Sequence, residues 1–321
     1  MTALSGRILA AYVTVSLVWG STYLAIRIGV RHLPPALFGG IRFLIAGTIL
    51  LALALALGGR LPRRSRDWAT AAIVGGMLLT IGNGVVVWAE QSVESGLTAI
   101  LIVTGALWMA LFDAVIPGSE ARPTGRQWAG LFLGFAGTVL LVRGHAGTLG
   151  TAGLLGPVGL VAASASWALG SVISKRRPVE TEPLVHAALQ MLFGGGGLAV
   201  IGLALGEAGT LRLSAAGAGA IAYLIVFGSL VAYTSYVYLL RHAAPAFIGT
   251  HVYVNTVVAV LLGWILLDEH VTGRTFLAMS IILGAVVWVR REARGGRSPR
   301  AGSEDAPGAE TVSVRPGIAK R

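Results

Sequence analysis

A small set of polar side chains stands inside long apolar runs, and their types and spacing define the chemistry open to this chain. Arg42 lies about six residues into a run that begins at 36. A guanidinium there can bind a carboxylate or pair with Glu90. Asn83 and Glu90 are seven positions apart, which puts both on one face of a helix. Asn83 can hydrogen-bond an amide or amine. Glu90 can attract a cation or take up a proton, or it can simply be a helix-end carboxylate in solvent. His251 and Asn255 share a face at a spacing of four, and an imidazole titrates near neutral pH. Trp19, Ser21 and Thr22 crowd the first run, Trp167 and Ser171 the sixth, and Tyr233 and Tyr236 the eighth. Trp88 and Trp108 can line a cavity or anchor at a membrane surface. Hydrogen bonds, aromatic faces and a few charges are what a site for a small amphipathic solute needs.

Catalytic alternatives find less support. The chain has no cysteine, which excludes disulfides and cysteine-ligated metals, and its six histidines form no close pair. Its glycine strings, such as 194–197, lack the lysine of a nucleotide-binding P-loop. No cofactor is called for. Proton coupling through Glu90 or His251 is left open.

The elements that position these groups are membrane helices. Of 321 residues, 55% are hydrophobic and only 12% charged; soluble domains carry about 25% charge. Ten apolar runs span 8–30, 36–57, 68–88, 95–116, 126–142, 154–174, 183–205, 215–239, 245–267 and 271–289. Each approaches the roughly 20 residues that cross a bilayer. The first is too long for a signal peptide and nine more follow it. The chain is therefore expected to be an all-α polytopic membrane protein. The net charge of +11 is dispersed in short loops and a tail, which argues against nucleic acid. The expected partners are the lipid bilayer and a small-molecule substrate, with the chain acting as a monomer or weak homodimer.

Basic residues alternate between the gaps. One side collects Arg7, Arg60, Arg63, Arg64, Arg66, Arg122, Arg126, Lys175, Arg176, Arg177, Arg241, Arg290, Arg291 and Arg294. The other holds Arg31, Arg143, Arg212 and Arg274. The positive-inside rule makes the first side cytoplasmic. An even number of spans then puts both termini in the cytoplasm, and the polar stretch 291–321 reads as a disordered tail.

The chain also repeats itself. TGRQWAGLFLGFAGTVLLVR at 124–143 matches TGRTFLAMSIILGAVVWVR at 272–290, about 148 residues on, and each follows an acidic turn. LVWGSTYLAIR at 17–27 is echoed by ASWALGSVISKR at 165–176. The halves, 8–143 and 154–290, hold five spans each. An odd unit enters the membrane from opposite sides in its two copies, so the pattern implies two inverted five-helix repeats and alternating access of a midplane cavity.

The motifs VWGSTYLAIRIGV (18–30), PPALFGGIRFLIAG (34–47), GNGVVVWAEQSVESGLTAIL (82–101) and HVYVNTVVAVLLGWILLDEHVTG (251–273) make the chain resemble the EamA-domain family of the drug/metabolite transporter superfamily. It is most similar to that family's inner-membrane amino-acid and metabolite exporters. The resemblance covers about 8–290. It implies ten helices in two EamA repeats, a bacterial inner-membrane location, efflux of small metabolites and a cavity lined mainly by helices 1, 3, 4, 6, 8 and 9. Relatives usually carry a proline near the start of helices 4 and 9. Here Gly105 and Thr256 stand in those places. Glycine still allows flexing and threonine less so. An integral membrane enzyme, or a channel or sensor built on the same bundle, is the alternative.

Three further expectations concern single residues. Arg27 reads as an interfacial anchor. His186 and Gln190, one turn apart, read as a structural hydrogen-bonded pair. Glu120 and Asp268–Glu269 read as structural, pairing with loop arginines.

Overall fold

The computed structural model describes residues 6–116, 124–144, 153–242 and 251–295. Helices follow the apolar runs closely. They are α1 Gly6–Val30, α2 Pro35–Ala56, α3 Ser65–Ala89, α4 (Ser95–Ile102 and Gly105–Val115), α5 Gly125–Gly144, α6 Leu155–Arg176, α7 Pro183–Ala204, α8 Ala215–His242, α9 His251–Leu267 and α10 Gly273–Gly295. A short 3₁₀ turn, Glu207–Thr210, precedes α8. Six helices, namely α1, α2, α3, α6, α7 and α8, are long and apolar enough to cross a membrane. The other four carry apolar stretches of 10–17 residues among the described residues.

Local sequence explains where helices start and stop. Pro35 and Pro183 occupy the first helical turn of α2 and α7, where a missing N–H costs nothing. Gly58 and Gly206 take φ of +91° and +75° just past the ends of the same helices. Their N–H groups cap the carbonyls of Leu55 and Leu203, each at 3.0 Å. Positions 35 and 183, and 58 and 206, are each 148 apart. The Ser214 hydroxyl accepts from the Gly217 N–H at 3.1 Å and starts α8.

Two helices carry a π-helical stretch of eight residues. In α3 it is Gly76–Asn83 and in α8 it is Leu224–Val231. These too are offset by 148. α4 is interrupted at Val103–Thr104, beside Gly105. The bend expected of a proline is thus made here without one. The Thr104 hydroxyl donates to the Leu101 carbonyl at 2.6 Å and meets the Ser164 hydroxyl of α6 at 2.9 Å. In α9 the helix runs unbroken through Thr256, whose hydroxyl donates to the Val252 carbonyl at 2.9 Å.

The helices pack in pairs between the halves: α2 with α7, α5 with α10, α1 with α9 and α8, and α6 with α4 and α3. The α2–α7 seam is made by glycine. Gly47 faces Met191, Leu192 and the Ala188 carbonyl. Gly195 faces Phe43, Leu44 and the Gly40 carbonyl. Adding 148 to 47, 43, 44 and 40 gives 195, 191, 192 and 188, so the seam is reciprocal. The core holds Phe38, Leu50, Leu101, Leu107 and Leu160, all buried. The exterior is apolar as well: Phe132 is 71% exposed and Val200 67%. An apolar shell of this kind belongs in lipid.

Gly20 joins α1 to α9. A Cβ there would sit 2.6 Å from the Val258 Cβ and 3.0 Å from the Asn255 carbonyl oxygen. Gly20→Leu is expected to cost about 1–3 kcal/mol by overpacking and to lower the thermal unfolding midpoint of the purified protein in detergent. Gly196→Ala, with nothing within 4 Å of its Cβ, is expected to leave the midpoint unchanged or raise it.

Candidate functional site

The π-helical stretch of α8 organises the interior. A π turn takes its carbonyls out of ordinary register and is frequent at functional sites. The Gly228 carbonyl accepts from the Trp19 indole N–H at 3.0 Å. The other half repeats the device: the Ser166 hydroxyl of α6 donates to the Met77 carbonyl in the π stretch of α3 at 2.9 Å. Trp167, 148 residues after Trp19, packs beside Gly82, which has no side chain to block it.

Around Trp19 the aromatic side chains converge. Its ring centroid lies 5.1 Å from Tyr236 and 5.5 Å from His251, and Tyr233 stands 6.4 Å from Tyr236. The Asn255 amide, oriented to donate, bonds the His251 carbonyl at 3.0 Å and the Ser16 carbonyl at 2.7 Å. This ties α9 to α1. The Tyr233 hydroxyl donates to Gln190 Oε1 at 3.3 Å. His186 and Gln190 therefore do not form the pair expected between them: Gln190 turns to α8, and His186 Nδ1 has no partner.

Arg42 enters the same region from α2. Its side chain is 95% buried by its 5% exposure, with Nε donating to the Ser229 hydroxyl at 3.2 Å. Nη1 has no partner, and Nη2 lies 3.1 Å from where a Cβ on Gly228 would sit. Thr22 Cγ2 lies 3.1 Å from the same point, and the Thr22 hydroxyl donates to the Trp19 carbonyl at 2.6 Å. The guanidinium also lies 4.6 Å from the Phe43 ring centre. Arg42 does not pair with Glu90, which belongs to a separate cluster where the end of α3 meets Arg27 of α1. Ser21 completes the site, sharing a 2.6 Å hydrogen bond with the Tyr223 hydroxyl.

The remaining candidates lie elsewhere. Asn83 ends the π stretch of α3, its Oδ1 buried without a partner. Trp108 packs against Phe112 and Phe135, and its indole N–H also has no partner. Ser171 only bonds back to the Trp167 carbonyl within its own helix. Trp88 is 42% exposed on the bundle exterior, against Gly159. It faces outward because its helical phase puts it opposite the buried Val86, Val87 and Ala89. The sequence reading missed Ser229 and Tyr223, and gave Gln190 the wrong partner.

Glu269 corrects another expectation. It pairs with no arginine among the described residues. Its carboxylate accepts from Ser95 N at 2.7 Å, Ser95 Oγ at 2.8 Å and Gly96 N at 2.9 Å, satisfying the orphan amides that open α4. Glu120 lies outside the described residues. On the opposite face, where α2 meets α3, Asp67 accepts from the Thr181 hydroxyl at 2.8 Å, and Arg64 pairs with Glu180 at 2.8 Å. A cleft of about 720 Å³ opens there among Arg60, Arg63, Asp67 and Glu182, and none of the expected cavity residues lines it.

An apolar exterior, about ten helices and buried polar groups joined across the bundle define an all-α polytopic membrane protein. The chain belongs to the EamA-like transporter family, whose sequence profile matches residues 5–143 and 154–291. It is 39% identical over 287 residues to the uncharacterized inner membrane transporter YedA of Escherichia coli, covering 89% of this chain and 90% of that one. An uncharacterized transporter of Archaeoglobus fulgidus is 25% identical over 79% of this chain and 86% of its own. The uncharacterized transporter YoaV of Bacillus subtilis is 22% identical over 88% and 94%. A solved crystal structure with 23% identity shares the fold, with a TM-score of 0.63 over 92% of this chain and 100% of that one. The chain is a membrane transporter of small metabolites and not an enzyme.

Glu269→Ala is expected to cost about 1–3 kcal/mol locally by stranding two amides. Hydrogen exchange should report it as faster exchange at Ser95 and Gly96 with little change in α2.

Proposed function

We propose that this transporter exports small metabolites, amino acids or related amphipathic compounds, across the bacterial inner membrane by alternating access. The two EamA repeats, 8–143 and 154–290, act as inverted halves, and the tail 291–321 lies with the N-terminus in the cytoplasm. The reciprocal glycine seam and the elements offset by 148 residues support a two-fold relation between the halves. The alternating basic loops support the orientation, and the inner-membrane relative in E. coli supports the location.

The observation that carries the substrate reading is Arg42. A buried guanidinium with a free N–H and no acid beside it is costly unless a ligand supplies the anion. A substrate carboxylate docks there, with Ser229 and Thr22 alongside. The apolar or cationic end of the solute lies against Trp19, Tyr236 and His251, which meet Arg42 across Gly228. Asn255 holds the wall made by α9. Asn83, Trp108, Trp167 and Ser171 line the matching region of the other half.

Purified protein in liposomes, assayed against labelled amino acids and cationic amphiphiles, is expected to show saturable counterflow of a carboxylate-bearing solute. Arg42→Gln should raise its KM at least about tenfold, the loss of one charge-assisted contact worth roughly 1.4 kcal/mol. Trp88→Leu should leave it unchanged. Counterflow restricted to solutes without a carboxylate, or an unchanged KM in Arg42→Gln, would sink this assignment.

A further inference from the structure

One buried carboxyl group takes no part in the region around Gly228. Glu90 follows the last turn of α3 and is 0% exposed, and neither of its carboxyl oxygens has a hydrogen-bond partner. Its backbone is ordinary: its N–H donates to the Val86 carbonyl at 3.0 Å. Its backbone carbonyl accepts from the Arg27 guanidinium, so the nearest cation is engaged with the peptide and not with the side chain. Arg27 Nε is itself buried without a partner.

The charged and titratable neighbours are few. Tyr23 and Arg27 face the group from α1, and Glu269 from the end of α9. Arg31 and Glu94 act on Arg27 from the adjoining loops. His270 lies 3.6 Å from Glu94, outside the cluster. Glu269 is fully committed, with three donors at the start of α4.

The contrast between the two glutamates is the argument. Glu269 has the donors an anion needs. Glu90 has none, and an unsolvated carboxylate without donors costs several kcal/mol. A proton removes that cost.

We propose that Glu90 is the proton-binding group of this transporter. It carries a proton in the conformation seen here. When α1 and α3 part at this face, the proton passes to entering water, and the carboxylate so formed pairs with the Arg27 guanidinium, whose Nε is already free. Return to the closed state requires a proton to be taken up again. Where that proton is regained from the side of the membrane opposite to the one that received it, each turnover moves a proton against the solute. This coupling rests on the export reading above; the protonation state of Glu90 does not.

Two measurements test it. Infrared spectra of the protein in lipid nanodiscs, titrated with alkali, should show a protonated-carboxyl C=O band at neutral pH. The band should vanish in Glu90→Gln and persist in Glu94→Gln. No such band in the wild type, or its survival in Glu90→Gln, overturns the proposal whatever the substrate is. In liposomes with an entrapped pH indicator, Glu90→Gln should keep solute counterflow while losing pH-gradient-driven accumulation at least about tenfold, a difference of about 1.4 kcal/mol. Wild-type accumulation in Glu90→Gln overturns the coupling. If neither protein shows counterflow, it is the substrate reading that fails, and the infrared result alone decides Glu90.

Discussion

In hydrocarbon, a backbone carbonyl that loses its helical partner must find a donor inside the protein. This constraint shapes the bundle. The π-helical stretches of α3 and α8 shift carbonyls out of register, and each finds its donor on the first helix of the opposite half. Trp19 reaches Gly228, and Ser166 reaches Met77. The indole cannot make that bond without bringing its ring into the space between α1, α8 and α9, so the aromatic cluster is a geometric consequence of backbone satisfaction. Gly228 has no side chain, and this leaves room for Arg42 and Thr22 to close on the same point.

The same accounting sorts the carboxylates. Glu269 serves the orphan amides opening α4. Glu207 does so for α2, accepting from Ala36 N at 3.2 Å and Leu37 N at 2.7 Å. Both join segments distant in sequence by filling positions that helix geometry leaves empty. Glu90 serves no helix end, which is why its surroundings differ.

Much of the fold was legible in the order of residues because membrane helices announce themselves by length and loop charge. The runs at 36–57 and 183–205 fall within a residue of α2 and α7. The interruption inside α4 was less readable. The break at Val103–Thr104 depends on a hydroxyl of α6, which no local pattern contains. Of the site, Trp19, Arg42, Tyr236, His251 and Asn255 were picked out by being polar or aromatic in an apolar setting, and they do meet. Trp88 was picked out by the same rule and faces outward, since residue type carries no helical phase. Gln190 was read against its own helix neighbour His186, but the register between α7 and α8 gives it to Tyr233. The π stretches left no mark in composition, because their stability comes from donors on other helices.

The glycine seam between α2 and α7 has a mechanical consequence. Gly40, Gly47 and Gly195 bring bare backbone within van der Waals reach of the facing helix. Such a surface resists being pulled apart, because close contact maximises dispersion attraction, yet it presents little relief to oppose one helix rolling on the other. A seam of this kind is suited to the work of a plain bearing, which holds two bodies together while one turns on the other.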